Sequence, residues 1–441
     1  MKTKLMFCAL SLIAGTLAVS AQAEARNYIP YKTTAVRLAD QASVIVTGRL
    51  LRVDDVQLTG TGLDAGRWER KDDGKWQDGQ AGIRRDAVIQ VTDVLKGAVT
   101  AGSELSFVSM RQLKFDAYDA DLRTGEALYF LAPRHEDGRN IVLMDERGTI
   151  SGIESAGNLA FTTDYVRGYL GVPGKSAFLA KLLAAISLNA TRVSVDSCIE
   201  LSWNHEDYSL AITDQQKQQV VDLARASSVG SAERNELITA IGRYQPETGM
   251  DALFDIMLTD TNWSTTSLAS MSMEYINRSM AISRLLQEWN TAQANQKLVI
   301  VRSLGLIRPK ADFDGPEVRN QTLSLVGGLL VATTEKSLLR EALIASRDLR
   351  SEDAHVAALK TLIDQRATNG LGDDEVKAAV IALAAARRVT KSHSGPDAVT
   401  VLEKTYLTAL ANADPVLKQV VEAAIKFPFT TLIAGADGRG H

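Results

Sequence analysis

The spacing of the apolar residues changes once along this chain, and that change limits the folds it can adopt. From residue 43 to about residue 162, short runs rich in β-branched residues recur between turn residues, and Val88–Thr92 alternates with the two-residue period of a strand. From Thr213 onward, nearly all apolar residues follow the helical period. The sequence therefore predicts an α+β multidomain protein, with a small antiparallel β-barrel followed by an all-α domain of stacked helices.

Six runs are predicted to be the strands of the barrel, and the last of them is the shortest. In chain order they are Ser43–Val53, Ala87–Leu95, Glu104–Met110, Ala127–Ala132, Asn140–Met144 and Asn158–Thr162. Before the first strand, Thr34–Gln41 has the pattern of a short amphipathic helix. Five or six short strands joined by short loops are typical of a small barrel or sandwich.

Three motifs in these runs carry a resemblance to a known superfamily. A strand ending in SVIVTG, a strand closed by VLKG and a later GEALYFL are similar to the OB-fold, netrin-like modules, which include the tissue inhibitors of metalloproteases and many bacterial secreted proteins. The resemblance implies a closed barrel in a bacterial exported protein. In those inhibitors an amino-terminal cysteine reaches the zinc of the target enzyme. The predicted mature start here, Glu24-Ala25-Arg26, has no cysteine nearby, so the resemblance does not imply protease inhibition.

A glycine-rich insertion at residues 57–82 separates the first two predicted strands. Its centre, Trp68 to Trp76, predicts a β-hairpin that turns at Asp-Asp-Gly and places Arg70 opposite Trp76. Two tryptophans beside an arginine are typical of a surface that stacks on a ligand or anchors a protein partner. The alternative is that one or both rings pack onto the barrel and hold the insertion in place.

The second half predicts short helices that each carry one apolar face and therefore must stack against neighbours. Thr213 and Gln216 have the spacing of a capping box, and Asp414 precedes a proline at the first helical position. Asp353 and Asp397 are predicted to open helices 44 residues apart, the second with an apolar stripe of Val399, Leu402, Tyr406 and Leu410. This spacing is similar to that of HEAT-type helix pairs. The alternative is an irregular helical bundle.

These observations predict five segments. They are a signal peptide at residues 1–23, a barrel domain at 24–170, a short helix (Lys175–Leu188) and interdomain bridge at 171–210, a helical domain at 211–430, and a flexible tail at 431–441.

The first residues predict export. Lys2 and Lys4 precede an apolar run, and Ala21-Gln22-Ala23 supplies the small residues of a cleavage site. Cleavage after Ala23 moves the formal net charge from −4 to −6, because residues 1–23 contain two lysines and no acidic residue. The mature protein is predicted to be periplasmic or secreted, with no membrane span.

A mildly acidic chain without a clustered basic face argues against nucleic acid as a partner. Cys198 remains as the single mature cysteine, either buried and inert or able to pair between chains.

No catalytic signature is present. The chain lacks a serine-hydrolase elbow, a zinc-binding HExxH helix, paired cysteines and the glycine-rich nucleotide loops, so no catalytic residue and no cofactor are predicted. The interdomain bridge holds a weak candidate set for a cation site, next to the interpretation of a solvated linker: Asp196, Glu200, His205, Glu206 and Asp207.

The sequence therefore predicts a non-enzymatic, exported scaffold protein of the cell envelope that binds a protein partner through its helical surface and the Trp68/Arg70/Trp76 hairpin. Two alternatives stay open. One is a metal-assisted hydrolase with a site at the domain junction, and the other is a glycan or peptidoglycan binder that uses the two tryptophans.

Overall fold

A computed structural model of the chain describes residues 34–426 except 60–68, 71–75, 78–80, 112–125, 136, 144–152, 155–158, 188–191, 227–228, 351–352 and 391–397. Contacts divide it into two compact units, residues 29–246 and the described residues from Glu247 onward. This division falls inside residues 211–430, which are predicted to form one helical domain. The predicted signal peptide and the predicted tail lie outside the described residues.

Ten strands and sixteen α-helices are described. The strands are β1 Val44–Thr59, β2 Glu69–Arg70, β3 Trp76–Gln77, β4 Ala81–Lys96, β5 Glu104–Arg111, β6 Glu126–Ala132, β7 Asn140–Val142, β8 Ile153–Glu154, β9 Arg387–Thr390 and β10 Ala398–Val401. The helices of the first unit are α1 Ala35–Gln41, α2 Leu159–Leu170, α3 Lys175–Ile186, α4 Arg192–Ser202, α5 Asp214–Arg225 and α6 Ser231–Tyr244, with a 3₁₀ turn at His205–Asp207. Those of the second are α7 Gly249–Thr259, α8 Trp263–Glu288, α9 Ala294–Ile307, α10 Ala311–Asp314, α11 Pro316–Ala332, α12 Lys336–Leu349, α13 Val356–Asp364, α14 Asp373–Ala385, α15 Lys404–Ala413 and α16 Pro415–Lys426.

Five strands of the first unit close into a barrel, which confirms the predicted α+β architecture. The strand order is β1-β4-β5-β7-β6, and β6 pairs back to β1 over residues 44–49. All neighbours are antiparallel except β5 and β7, which run parallel. The alternate residues of each strand fill the interior, where Val46, Ile89, Phe107, Tyr129 and Leu131 are buried.

The glycines of the SVIVTG and VLKG motifs are both required by close packing. A Cβ at Gly48 would lie 2.9 Å from the carbonyl oxygen of Gln90 on β4. Gly97 has a φ of +104°, and a Cβ there would lie 2.8 Å from the carbonyl oxygen of Ser43. These positions let β1 and β4 meet closely where the barrel closes, so a side chain at either would force the strands apart.

The sequence-predicted strand Asn158–Thr162 is wrong, because this segment begins helix α2. Thr162, Thr163, Val166 and Tyr169 recur with helical spacing and form the buried face of that helix. The β-branched threonines suggest a strand in isolation, but the burial of one helical face outweighs their intrinsic preference.

The second unit is a stack of helix pairs. The second helices of successive pairs, α9, α12, α14 and α16, pack each against the next, and the first helices, α8, α11, α13 and α15, pack beside them. They share one core that includes Val301, Leu343, Ile363, Leu383 and Val421. Each helix buries one face against its neighbours, as expected for stacked pairs that cannot be stable singly.

One part of the predicted repeat is wrong. Residues Ala398–Val401, predicted to begin a helix, form strand β10, which pairs with β9, and the helix begins only at Lys404. Val399 is therefore in a strand, while Leu407 and Ala411 form the buried face of α15. The run AVTV at 398–401 is β-branched at three of four positions, a composition that favours a strand over a helical turn.

Tyr129 offers a test of the barrel core. Its ring packs 5.3 Å from that of Phe107, and its hydroxyl is buried with no hydrogen-bond partner among the described residues. Burial raises the pKa of Tyr129 to about 12. Removing an unsatisfied buried hydroxyl removes a desolvation cost of about 1–3 kcal/mol. We expect Tyr129→Phe to raise the free energy of unfolding by about 1 kcal/mol in a denaturant titration. A loss of stability would show that the hydroxyl has a partner.

Candidate functional site

The predicted hairpin is present in the described backbone. Strands β2 and β3 pair antiparallel with Arg70 opposite Trp76, the register that the Asp-Asp-Gly turn predicts. Trp68 lies outside the described residues. The backbone pairing places Arg70 and Trp76 side by side across the hairpin, and their role in binding stays a prediction.

The predicted cation-site residues lie on helix α4 and the 3₁₀ turn that follows it. The polar bridge is thus in part a buried helix, because Asp196 and Glu200 are 4% and 0% exposed. Glu206 and Asp207 are exposed and His205 is half-buried. The polar residues of this segment predict exposure to solvent. In α4, however, the side chains of Asp196 and Glu200 form hydrogen bonds to other elements of the unit.

Glu200 is the centre of this arrangement, and both of its carboxylate oxygens are occupied. Oε1 accepts hydrogen bonds from the hydroxyl of Thr34 and from the amide of Asn204 at 2.8 Å. Oε2 accepts from the hydroxyl of Tyr208 at 2.8 Å. Because the carboxylate is wholly buried and saturated by neutral donors, it joins helices rather than serving as a free acid or base.

Asp196, one turn before Glu200, binds the amino end of helix α1. Its Oδ2 accepts from the backbone N–H of Ala35 at 2.7 Å, and Arg192 lies 3.4 Å from the same oxygen. Thr34 is the N-cap of α1 and also donates to Glu200. Two carboxylates of one helix face therefore meet the positive end of another helix, where negative charge is favourable.

The ammonium group of Lys175 pairs with one of the predicted cation-site residues, Asp207. Lys175 Nζ is 2.7 Å from Asp207 and 3.4 Å from Asp40, whose other oxygen accepts from Tyr169 at 2.5 Å. Burial works against the charge of Lys175, yet the hydrogen bond to Asp207 and the negative charge of Glu200 raise its pKa. The described residues contain no group of three or more His, Cys, Asp or Glu side chains that could hold a metal ion.

The tyrosines around Glu200 stay protonated. Burial and the negative charge of Glu200 raise the pKa of Tyr208, and the pKa of Tyr165 and Tyr244 is raised mainly by burial. A phenol that keeps its proton is a hydrogen-bond donor and neither a base nor a nucleophile at ordinary pH. We conclude that the arrangement around Glu200, which we call the Glu200 cluster, holds helices α1 and α4 together.

A serine and a histidine meet in the second unit, but both are buried. His355 Nε2 lies 2.8 Å from the carbonyl oxygen of Leu323, which only accepts, so this nitrogen carries the proton. Nδ1 then accepts from the hydroxyl of Ser346 at 2.8 Å. Ser346 is 0% and His355 1% exposed, so no substrate reaches the hydroxyl, and the pair connects α11, α12 and the start of α13.

The His355 contact predicts a pH dependence. Burial lowers the pKa of His355, outweighing the hydrogen bond to Leu323, and the charge of Arg319 lowers it further. Below about pH 6.5 the unfolded chain takes up a proton that the folded chain rejects, so stability falls as the pH falls. We expect the melting-temperature advantage of wild type over His355→Gln to shrink on going from about pH 7.5 to about pH 5.5. A pH-independent difference would contradict this.

Four large apolar side chains on two helices of the second unit are exposed to solvent. Met271, Tyr275, Met280 and Phe313 are 44%, 53%, 53% and 77% exposed. The first three lie on α8 and the last on α10. We call these four side chains the Met–Phe surface. Exposed apolar side chains that lie together are typical of binding surfaces, and methionine adapts its shape to varied partners.

A kink at Asn277 divides α8 between Tyr275 and Met280. Asn277 has non-helical angles (φ −161°, ψ 98°), and its side chain accepts from the N–H of Met280 at 3.1 Å, so it starts the second half of the helix. Arg278 then binds Asp314 of α10 at 2.8 Å, next to Phe313. The ion pair holds α10 against the kink, and Met280 and Phe313 therefore lie on neighbouring segments.

This surface is not among the features predicted from the sequence. Met271 and Tyr275 are one turn apart and out of phase with the buried Ala269 and Met273. That phase difference is the signal in the sequence, since an amphipathic helix normally places polar residues at such positions.

Comparisons with known proteins leave the family open. No protein-family model and no curated protein matches the chain. Among solved structures, the chain is similar to a crystal structure of an engineered protein from a structural genomics consortium, with 14% identity and a TM-score of 0.26 over 56% of this chain and 95% of that one. A likeness at that TM-score carries no argument about fold or function. In the described part of the chain, no helix is long and apolar enough to cross a membrane.

Proposed function

We propose that this chain is a non-enzymatic exported protein of the cell envelope, a scaffold that binds a protein partner. The observation that carries the proposal is the Met–Phe surface. Four large apolar side chains at 44–77% exposure leave apolar area in water that a partner would cover. They lie on a stack of helix pairs, an architecture that offers extended surfaces to other proteins.

The architecture supports a finer description of both units. The closed strand order with its single parallel pair, β5 with β7, is compatible with an OB-fold, netrin-like barrel. The four helix pairs of the second unit support a HEAT-like repeat. Helices α9 and α12 are each 14 residues long and end at an arginine with positive φ, Arg308 and Arg350.

The hairpin is proposed as a second contact. If Trp68 and Trp76 bind a partner, replacing both with alanine leaves the melting temperature nearly unchanged and weakens partner capture. If they pack on the barrel, the same change costs several kcal/mol, since each buried aromatic contributes about 3–5 kcal/mol.

Export is tested separately: terminal sequencing of the protein from its producing cells should begin at Glu24, and an intact Met1 would overturn the proposed localisation.

Affinity capture from the native envelope tests the function. The bait is the full mature chain, compared with a variant carrying Met280→Ala and Phe313→Ala. The control carries Val331→Ala and Val416→Ala, two other exposed apolar residues of the same unit, at 77% and 64% exposure. We expect the first variant to lose a partner that wild type and control both retain. Equal capture by all three baits would contradict a role of the Met–Phe surface.

A further inference from the structure

One asparagine of this chain is followed directly by glycine. The pair, Asn369-Gly370, is the one Asn-Gly step in the sequence, and it lies in the turn between α13 and α14. Both residues are exposed. The backbone nitrogen of the residue after an asparagine is placed to attack the asparagine side-chain amide, and glycine has no side chain to hinder that attack. The pair is therefore the most labile asparagine step in the chain.

The turn around this pair is the end of a helical segment. The N–H of Asn369 donates to the carbonyl oxygen of Gln365 at 2.8 Å, and the N–H of Leu371 donates to that of Arg366 at 3.2 Å. Gly370 has a φ of +61°, the left-handed conformation that glycine adopts where a helix ends. Leu371 packs against the core of the second unit. The bond from Leu371 to Arg366 thus turns the chain back towards that core.

The two groups that would react are not engaged elsewhere. Within the described part of the chain, neither the N–H of Gly370 nor the side-chain amide of Asn369 forms a hydrogen bond. A Cβ placed on Gly370 would meet no atom within 4 Å, so the space around the nitrogen is open. A backbone N–H that no acceptor holds loses its proton to solvent more readily than one inside a helix. The nucleophile is therefore accessible in the folded protein.

We propose that Asn369 is a site of spontaneous deamidation, and that the isoaspartate formed there opens the turn between α13 and α14. A base from solution removes the proton of the Gly370 N–H, and the nitrogen attacks Cγ of Asn369. The new C–N bond forms, the bond from Cγ to Nδ2 breaks, and ammonia leaves with a proton from solvent. Water then opens the succinimide ring. Cleavage at Cγ gives aspartate, and cleavage at the main-chain carbonyl carbon gives isoaspartate.

The isoaspartate product changes the length of the main chain. The chain then passes through Cβ and Cγ of residue 369, which adds one carbon atom between Arg366 and Leu371. The N–H of Leu371 no longer meets the carbonyl oxygen of Arg366, and Leu371 is displaced from the core that it covers. We therefore expect the modified protein to have a less stable second unit.

The test follows the full mature chain during incubation at neutral and at mildly alkaline pH. Peptide mapping by mass spectrometry measures the conversion of amide to acid at each asparagine, and an endoproteinase that cleaves before aspartate but not before isoaspartate separates the two products. Asn412 is the matched control. It is also exposed, but it lies on α15 and is followed by Ala413, whose N–H is within the helix.

We expect Asn369 to deamidate faster than Asn412 by a factor on the order of ten or more, because a hindered attack and a helix-bound N–H both raise the barrier. The rate at Asn369 should rise at alkaline pH, and isoaspartate should accumulate. Equal rates at Asn369 and Asn412 in the folded chain, or aspartate without isoaspartate, would overturn the proposal.

Thermal melts test the effect on the turn. Incubated wild type should melt about 2–4 °C below fresh wild type, as expected for the loss of one hydrogen bond in a domain of this size. Asn369→Gln keeps an amide but must close a larger ring, so incubation should leave its melting temperature unchanged. Fresh Asn369→Asp carries the new charge on an unaltered main chain and should melt close to wild type. An unchanged melting temperature in fully deamidated wild type, or an equal loss in fresh Asn369→Asp, would contradict an opened turn.

Discussion

Replacing Glu200 with alanine is expected to lower the free energy of unfolding by on the order of 3 kcal/mol or more. The carboxylate is 0% exposed and accepts from Thr34, Asn204 and Tyr208. Its removal leaves three buried donors without an acceptor, and each unsatisfied buried donor costs about 1–3 kcal/mol. Helix α1 should loosen first, because its N-cap donates to Glu200.

Glu206→Ala is the control for this change. Glu206 lies in the same region but is exposed, so its loss should change stability by no more than about 0.5 kcal/mol. Denaturant titrations of both variants, with hydrogen exchange of the α1 amides, make the measurement. If Glu200→Ala unfolded like wild type, the Glu200 cluster would not hold α1 to α4.

Replacing Glu341 with alanine is expected to destabilise the second unit by about 3–5 kcal/mol, because it leaves the charge of Arg302 buried without its counter-ion. Arg302 lies on α9 at 1% exposure, and its Nη1 is 3.6 Å from Glu341 on α12. Its guanidinium also stacks over Trp263, 4.8 Å from the ring centre. The pair joins two consecutive helix pairs of the stack.

The double variant, Arg302→Met with Glu341→Leu, distinguishes the cost of a buried unpaired charge from the cost of altered packing. Replacing a whole buried ion pair with apolar residues of similar size is often neutral, so we expect the double variant to recover most of the lost stability. Thermal melts of the single and double variants give the comparison. A double variant as unstable as Glu341→Ala would mean that shape, rather than the unpaired charge, causes the loss.

The periodicity of apolar residues in the sequence is sufficient to predict the elements whose burial follows a simple pattern. The amphipathic segment at residues 34–41 is helix α1, the short helix predicted from Lys175 is α3, and the capping box of Thr213 and Gln216 is present. Gly138, in the turn between β6 and β7, has a φ of +84°, and the two strands pair antiparallel. In each case local chemistry and tertiary burial favour the same conformation.

Polar residues caused the main errors in interpreting the site. The sequence predicts that Asp196 and Glu200 lie in a solvated linker or at a cation site, because acidic residues are rarely buried. Their partners, Thr34 and Ala35, are more than 160 residues away in sequence, separations that one sequence alone does not reveal. The periodicity of apolar residues therefore does not predict which distant polar groups pair with one another.

Site-specific photocrosslinking tests the central claim, that the helical unit binds a protein partner through the Met–Phe surface. A benzophenone amino acid is placed at Phe313 in one full-length chain and at Val416 in another, both positions being exposed. Each chain is irradiated in its native envelope, and adducts are resolved by mass on a denaturing gel. The proposal predicts a discrete protein adduct from position 313 and none from position 416. The same adducts from both positions, or none from 313, would contradict it.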